Sequence, residues 1–122
     1  MYTVTVMTMF VSMLDGATCL ADASTLKKAI KDFQRISKRE FKEVYDIIDG
    51  YFYDTYENEN NFPDEYSTVL VLGVFNNERE CILSRNFDYN PVKKIMDQKF
   101  EIEIDYDILN ELEKKTLVEL GY

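Results

Sequence analysis

Alternating carboxylates near the end of the chain have a spacing that could hold a metal ion. In the segment EIEIDYD, acids stand at every second residue: Glu101, Glu103, Asp105 and Asp107. On an extended strand such residues lie about 7 Å apart on one face, and carboxylate oxygens are ligands that Mg²⁺ favours. A divalent-metal-dependent enzyme built on Glu101, Glu103 and Asp105 is therefore one hypothesis. We prefer the other interpretation, in which these acids form the solvent-exposed face of an amphipathic strand.

The residue types that most other reactions need are missing or wrongly spaced. The chain contains no histidine, the side chain most often used for proton transfer near neutral pH and the commonest metal ligand. Its four glycines are too far apart to form a phosphate-binding loop or a nucleophile elbow. Cys19 and Cys81 lack the paired spacing of a zinc or redox site. We expect two reduced, packed thiols in a cytoplasmic protein that is not an enzyme, with no catalytic residue, metal or cofactor.

A second acidic segment mixes carboxylates with aromatic rings. DGYFYDTYENENNFPDEY, residues 49–66, contains no lysine or arginine, and residues 43–78 hold nine acids and no base. Such a surface is attracted to the basic groove of a nucleic-acid-binding protein, where carboxylates take the place of phosphates and tyrosines supply contact area. The residues predicted to bind a partner are Glu43, Asp46, Tyr53, Asp54, Glu57, Glu59, Asp64, Glu65 and Tyr66.

Charge is divided unevenly along the chain. Residues 1–42 carry seven bases and four acids, or +3, whereas residues 43–122 carry seven bases and nineteen acids, or −12. The basic helix predicted near residues 27–42 could contact phosphates, but a net charge of −9 repels nucleic acid. We therefore expect no direct nucleic-acid binding. The apolar start of the chain lacks the basic residues of a secretory signal and is too short to span a bilayer, so no membrane segment is expected.

These observations predict a small acidic inhibitor, a nucleic-acid mimic, that binds the basic surface of a nuclease or another nucleic-acid-binding protein. In composition and size the chain is similar to phage-encoded inhibitors of restriction and CRISPR nucleases and to immunity proteins that neutralise nuclease toxins. That likeness assigns no residue. The alternative is a structural or assembly protein, in which the basic helix of one copy meets the acidic helix of another. The sequence leaves both a monomer and a homodimer open.

Two helices are predicted early in the chain. An apolar stripe at three- and four-residue steps consists of Leu26, Ile30, Phe33 and Ile36. It predicts a helix capped by Ser24 or Asp22. Ser37 and Glu40 match a capping box, so a second helix is predicted to begin at Lys38, with one bent helix as the alternative. The acids that fall on the outer side of the second helix are Glu43, Asp46, Asp54 and Glu57.

The remaining elements complete a predicted α+β domain over residues 1–122. We expect a strand over residues 3–13, a hairpin over 67–87, a short helix over 91–98 opened by Asn90 and Pro91, and a strand through EIEID. A closing helix from about Asp107 would turn Leu109, Leu112 and Leu120 inward. The predicted order is β-α-α-β-β-α-β-α, with helices covering one face of a mostly antiparallel sheet of about four strands.

Overall fold

The computed structural model describes residues 1–10, 13–38 and 42–122, with the backbone alone at 13, 15, 42–45 and 97–101. The strands are β1 (Tyr2–Phe10), β2 (Met13–Ala23), β3 (Ser67–Phe75), β4 (Cys81–Asn90) and β5 (Ile95–Ile104). The helices are α1 (Leu26–Ser37), α2 (Lys42–Tyr56) and α3 (Glu111–Glu119). Short 3-10 turns occupy Glu59–Asn61 and Tyr106–Ile108.

The strands form one sheet in the order β2-β1-β3-β4-β5, and every neighbouring pair is antiparallel. The predicted α+β class with an antiparallel sheet is confirmed. The sheet has five strands rather than about four, and the element order is β-β-α-α-β-β-β-α. One difference comes from residues 14–23, for which no element is predicted, and the other from residues 91–98, for which a helix is predicted.

The first difference lies in residues 13–23, where the chain forms the edge strand β2 before α1 begins. Asp, Gly and Ala are poor strand formers, so strand propensity does not predict β2. Two bulges interrupt its pairing with β1: Val4 faces Ala21 while Thr5 faces Cys19, which leaves Leu20 without a partner on β1. A second register shift, between Thr8 and Met9, leaves Asp15 without a partner on β1. A β-bulge accommodates one extra residue that has no partner in the ladder of the two strands, and bulges are common at sheet edges.

The second difference is the predicted helix over residues 91–98, which is wrong. Pro91–Lys94 form a turn, and β5 begins at Ile95. The Asn90 side-chain oxygen accepts hydrogen bonds from the backbone N–H groups of Val92 and Lys93, both at 3.0 Å. An Asn-Pro pair starts a turn as readily as a helix. Here the left-handed backbone of Lys94, with φ 54°, turns the chain back as a hairpin.

The two predicted early helices are confirmed as separate elements, since α1 ends at Ser37 and α2 begins at Lys42. Thr25, rather than Ser24 or Asp22, caps α1, because its hydroxyl accepts a hydrogen bond from the Lys28 backbone at 3.3 Å. Lys38 caps the C-terminal end of α1 and does not begin a helix. Glu40, the second member of the predicted capping box, lies outside the described residues.

One hydrophobic cluster joins the helices to a single face of the sheet. The predicted stripe of α1 is buried, and α2 contributes Ile48 and Phe52. In α3 the buried residue is Leu117; Leu112, which was predicted to face inward, is exposed because the helix starts at Glu111 under an Asn110 cap. The thiols are free, but Cys19 is exposed rather than packed. None of the helices in the described part of the chain has the length and apolarity needed to cross a membrane.

Candidate partner-binding surface

Eight of the nine predicted partner-binding residues have described side chains, and all eight are exposed. We call them the acidic surface: Asp46, Tyr53, Asp54, Glu57, Glu59, Asp64, Glu65 and Tyr66. The side chain of Glu43 lies outside the described residues. Tyr53 is 39% exposed and Tyr66 44%, so both rings are available for contact. The structure places these residues on α2 and on the segment that follows it.

The amphipathic pattern of α2 produces the first half of the acidic surface. Ile48 and Phe52 are buried against the sheet, which turns the opposite side of the helix outward. Asp46 and Asp54 lie on that outer side, and Glu57 directly follows the last helical residue, three positions after Asp54. The helix thus forms a ridge of carboxylates.

The segment after α2 folds back and adds the second half. Glu57 has a left-handed backbone, with φ 69°, which ends the helix. Phe62 is only 7% exposed, and its ring lies 5.0 Å from that of Tyr53 and 5.9 Å from that of Phe52. Since this ring is anchored on the end of α2, the acids on either side of it stay close to the helix.

Two acids of the surface are compensated by neighbouring groups. The Tyr53 hydroxyl donates a hydrogen bond to Glu59, and the Lys94 ammonium lies 3.4 Å from the same carboxylate. The hydrogen bond from Tyr53, followed by the charge and hydrogen bond of Lys94, lowers the pKa of Glu59. The hydrogen bond to Glu59 raises the pKa of Tyr53. Asp64 accepts a hydrogen bond from the Asn90 side-chain amide at 3.2 Å.

The other four acids are uncompensated. Asp46, Asp54, Glu57 and Glu65 make no ion pair or side-chain hydrogen bond with any described residue. The bases of α1 do not reach them within the described ranges. Instead, Lys28 lies 2.9 Å and Arg35 3.5 Å from the carboxylate of Asp32 on the same helix. The surface therefore presents anionic groups beside exposed phenol rings.

Sequence reasoning missed two residues that shape this region. Asp49 lies within the acidic segment, but it is half-buried and accepts a hydrogen bond from the hydroxyl of Tyr89, a fully buried residue of β4. Asp49 therefore ties α2 to the sheet instead of extending the ridge. Lys94 compensates Glu59 from the β4–β5 turn, and no sequence signal connects these two residues.

The side chains of the other acidic segment, around the end of β5, are described from Ile102 onward. Ile102 and Ile104 pack against the core while Glu103 is exposed, which confirms the predicted alternation. Asp105 lies beyond β5, and its side chain accepts a hydrogen bond from the Asp107 backbone at 3.1 Å. The side chain of Glu101 lies outside the described residues. Among the residues whose side chains are described, no three acids or cysteines are grouped as metal binding would need.

Comparison with protein-family models, curated proteins and solved structures found no match for this chain.

Proposed function

We propose that this protein is a non-enzymatic inhibitor that binds the basic surface of a nucleic-acid-handling protein through its acidic surface. The observation that supports this function is the group of four uncompensated carboxylates, on Asp46, Asp54, Glu57 and Glu65, beside the exposed rings of Tyr53 and Tyr66. By occupying a groove that normally holds phosphates, the inhibitor would keep nucleic acid out. Such a protein fits the anti-defence and nuclease-immunity classes.

The two kinds of side chain would have different tasks in this interface. Exposed charges accelerate encounter and select partners of opposite sign, but salt screens them. Exposed charge pairs contribute little lasting affinity, roughly 0–1 kcal/mol each. Tyrosine rings bury large areas at a low cost in conformational entropy, and they are enriched among the residues that dominate binding. The mixture of rings and acids therefore suits fast, selective and durable association.

Charge reversal tests the proposed function. The wild-type protein and the triple variant Asp46→Lys, Asp54→Lys, Glu57→Lys are used to capture partners from a lysate, and the captured protein is then purified for competition against its own nucleic acid. We expect the wild type to displace the nucleic acid. The variant should bind at least about tenfold more weakly, with a shallower dependence on salt.

The matched control reverses three exposed acids elsewhere, with Asp107→Lys, Glu111→Lys and Glu119→Lys. It changes the net charge equally but leaves the acidic surface intact. If the control loses as much affinity as the triple variant, net charge rather than this surface determines binding. An unchanged affinity in the triple variant would contradict the proposed function.

Self-association through opposite charges is the second candidate function. Lys27 and Lys31 on α1 and Lys38 at its C-terminal cap are exposed, and they make no ion pair with any residue in the described ranges. They could meet the acidic surface of another copy. Light scattering separates the two functions: salt-sensitive dimers would favour self-association, and a monomer at low and high salt would exclude it.

A further inference from the structure

A small apolar cavity lies between α2 and the sheet, next to the acidic surface. Its volume is about 50 Å³. The residues that line it include Phe10, Ile47, Ile48, Tyr51, Val69 and Leu70. Close-packed interiors leave few voids larger than a water molecule, and a cavity with apolar walls does not hold water well. A binding partner could therefore fill this space without displacing tightly held water.

The walls of the cavity are held in place by aromatic packing. The Phe10 ring lies 5.0 Å from that of Tyr51 and 5.5 Å from that of Phe52. Ile48 is only 6% exposed and belongs to the core. The outer wall is different, because Ile47 is 57% exposed. The cavity is thus preformed on its inner side and borders solvent at Ile47.

The geometry of α2 places this opening beside the carboxylate ridge. Asp54 follows Ile47 by seven residues, which is nearly two turns, so the two side chains lie on the same flank about 10.5 Å apart along the helix axis. Gly50 lies between them, and a Cβ atom added there would meet no atom within 4 Å. Asp46 directly precedes Ile47 and is exposed. Asp46 and Asp54 therefore lie on either side of Ile47 along the helix, next to the opening of the cavity.

We propose that this cavity is the anchor pocket of the interface and takes one aliphatic side chain of the partner, flanked there by lysine or arginine. This inference rests on the proposed function and deepens it. The flanking bases would meet Asp46 and Asp54, and the apolar side chain would pass Ile47 into the cavity. With about 50 Å³ the pocket has room for the branched end of a leucine or valine side chain, but not for an aromatic ring. An aromatic or aliphatic anchor seated in a pocket is a common centre of a binding interface.

Two synthetic peptides test the pocket. One is acetylated and amidated Lys-Arg-Leu-Arg-Lys, and the other carries serine in place of leucine. Each is titrated into the isotope-labelled protein while backbone amide and methyl signals are followed by NMR. We expect the leucine peptide to bind at least about fivefold more tightly. Its leucine methyl groups should show nuclear Overhauser contacts with Ile47 and Tyr51.

Variants of the protein distinguish failure of the pocket from failure of the acidic surface. Ile47→Ser should remove the preference for leucine, whereas Leu112→Ser, at a site that is 74% exposed on α3, should preserve it. Equal binding of the two peptides to the wild type would contradict the proposed anchor pocket. It would not contradict the proposed binding through the acidic surface. If reversal of Asp46, Asp54 and Glu57 changes the affinity of neither peptide, the proposed function fails as well. The nuclear Overhauser contacts of the leucine peptide are measured in the wild-type protein, so they test the pocket even if Ile47→Ser does not fold.

Discussion

At the scale of single residues, the hydrogen bond between Tyr89 and Asp49 joins α2 to β4. The Tyr89 ring is fully buried in the core, and its hydroxyl donates to the half-buried carboxylate of Asp49. Tyr89→Phe keeps the ring but removes this hydroxyl, so we expect the free energy of unfolding to fall by about 1–2 kcal/mol. Urea unfolding measures the change. Asp49→Asn, which keeps an acceptor oxygen but loses its charge, should cost less; an equal or larger loss would contradict this account.

Tyr2 gives the stability of the protein a dependence on alkaline pH. Burial, then the 2.8 Å hydrogen bond to Glu113 and the charge of that carboxylate, raises the pKa of Tyr2 from 10.0 to about 12. The folded state therefore keeps the phenol proton after the unfolded state has lost it. The contribution of Tyr2 is complete below pH 10, decreases as the pH rises from about 10 to 12, and is absent above that range.

The comparison variant for this pH dependence is Tyr2→Phe, which has no phenol proton. Urea unfolding of both proteins between pH 9 and about pH 11.5 should show the wild type losing stability more steeply than the variant. Parallel curves would show that Tyr2 titrates at its ordinary pKa.

At the scale of secondary structure, Gly50 is a weak point in the middle of α2. Glycine in a helix interior costs about 0.5–1 kcal/mol relative to alanine. Gly50 is exposed, and a Cβ atom there would meet no neighbouring atom within 4 Å. Gly50→Ala should therefore raise the free energy of unfolding by about 0.5–1 kcal/mol, as measured by urea or thermal unfolding. A loss of stability would show that α2 needs the freedom of glycine at this position.

The elements that sequence patterns predicted correctly are those with strong periodicity. The stripe of α1 and the alternation of Ile102 and Ile104 in β5 each specify which face is buried. The predicted hairpin over 67–87 was also correct, because β3 is a continuous apolar run followed by a turn and a returning strand. The failures were β2, with weak strand formers at a bulged edge, and β5, whose start carries a helix-like Asn-Pro signal. In both, pairing with a neighbouring strand outweighed local propensity.

The site was predictable only in part, for a related reason. The outward direction of Asp46 and Asp54 follows from helical periodicity. The compensation of Glu59 by Lys94 and the use of Asp49 as a structural acceptor depend on long-range pairing, which one sequence does not reveal. The apolar cavity beside Ile47 depends on how α2 packs over β1 and β3, so composition alone could not indicate it.

At the scale of the whole molecule, a net charge of −9 opposes compactness through self-repulsion. Four acids of the acidic surface have no compensating partner among the described residues, so they contribute to this repulsion. Because salt screens exposed charges over about 10 Å at 0.1 M, raising NaCl from about 0.02 to about 0.2 M should increase the thermal midpoint. Differential scanning calorimetry measures it. The triple charge-reversal variant should respond less, and an unchanged midpoint in the wild type would indicate that self-repulsion is negligible.

The bulges in β2 affect the tendency of the protein to associate through the edge of its sheet at high concentration. An open edge strand offers free backbone groups on which another chain can build, which is a route to fibrils. In β2 the irregularities at Asp15 and Leu20 divide the ladder with β1 into residues 13–14, 16–19 and 21–23, so no uninterrupted stretch is longer than four residues. A ladder this short is a poor template for a neighbouring molecule. The same irregularities that hid the strand from sequence patterns therefore protect the folded protein against fibrous growth from that edge.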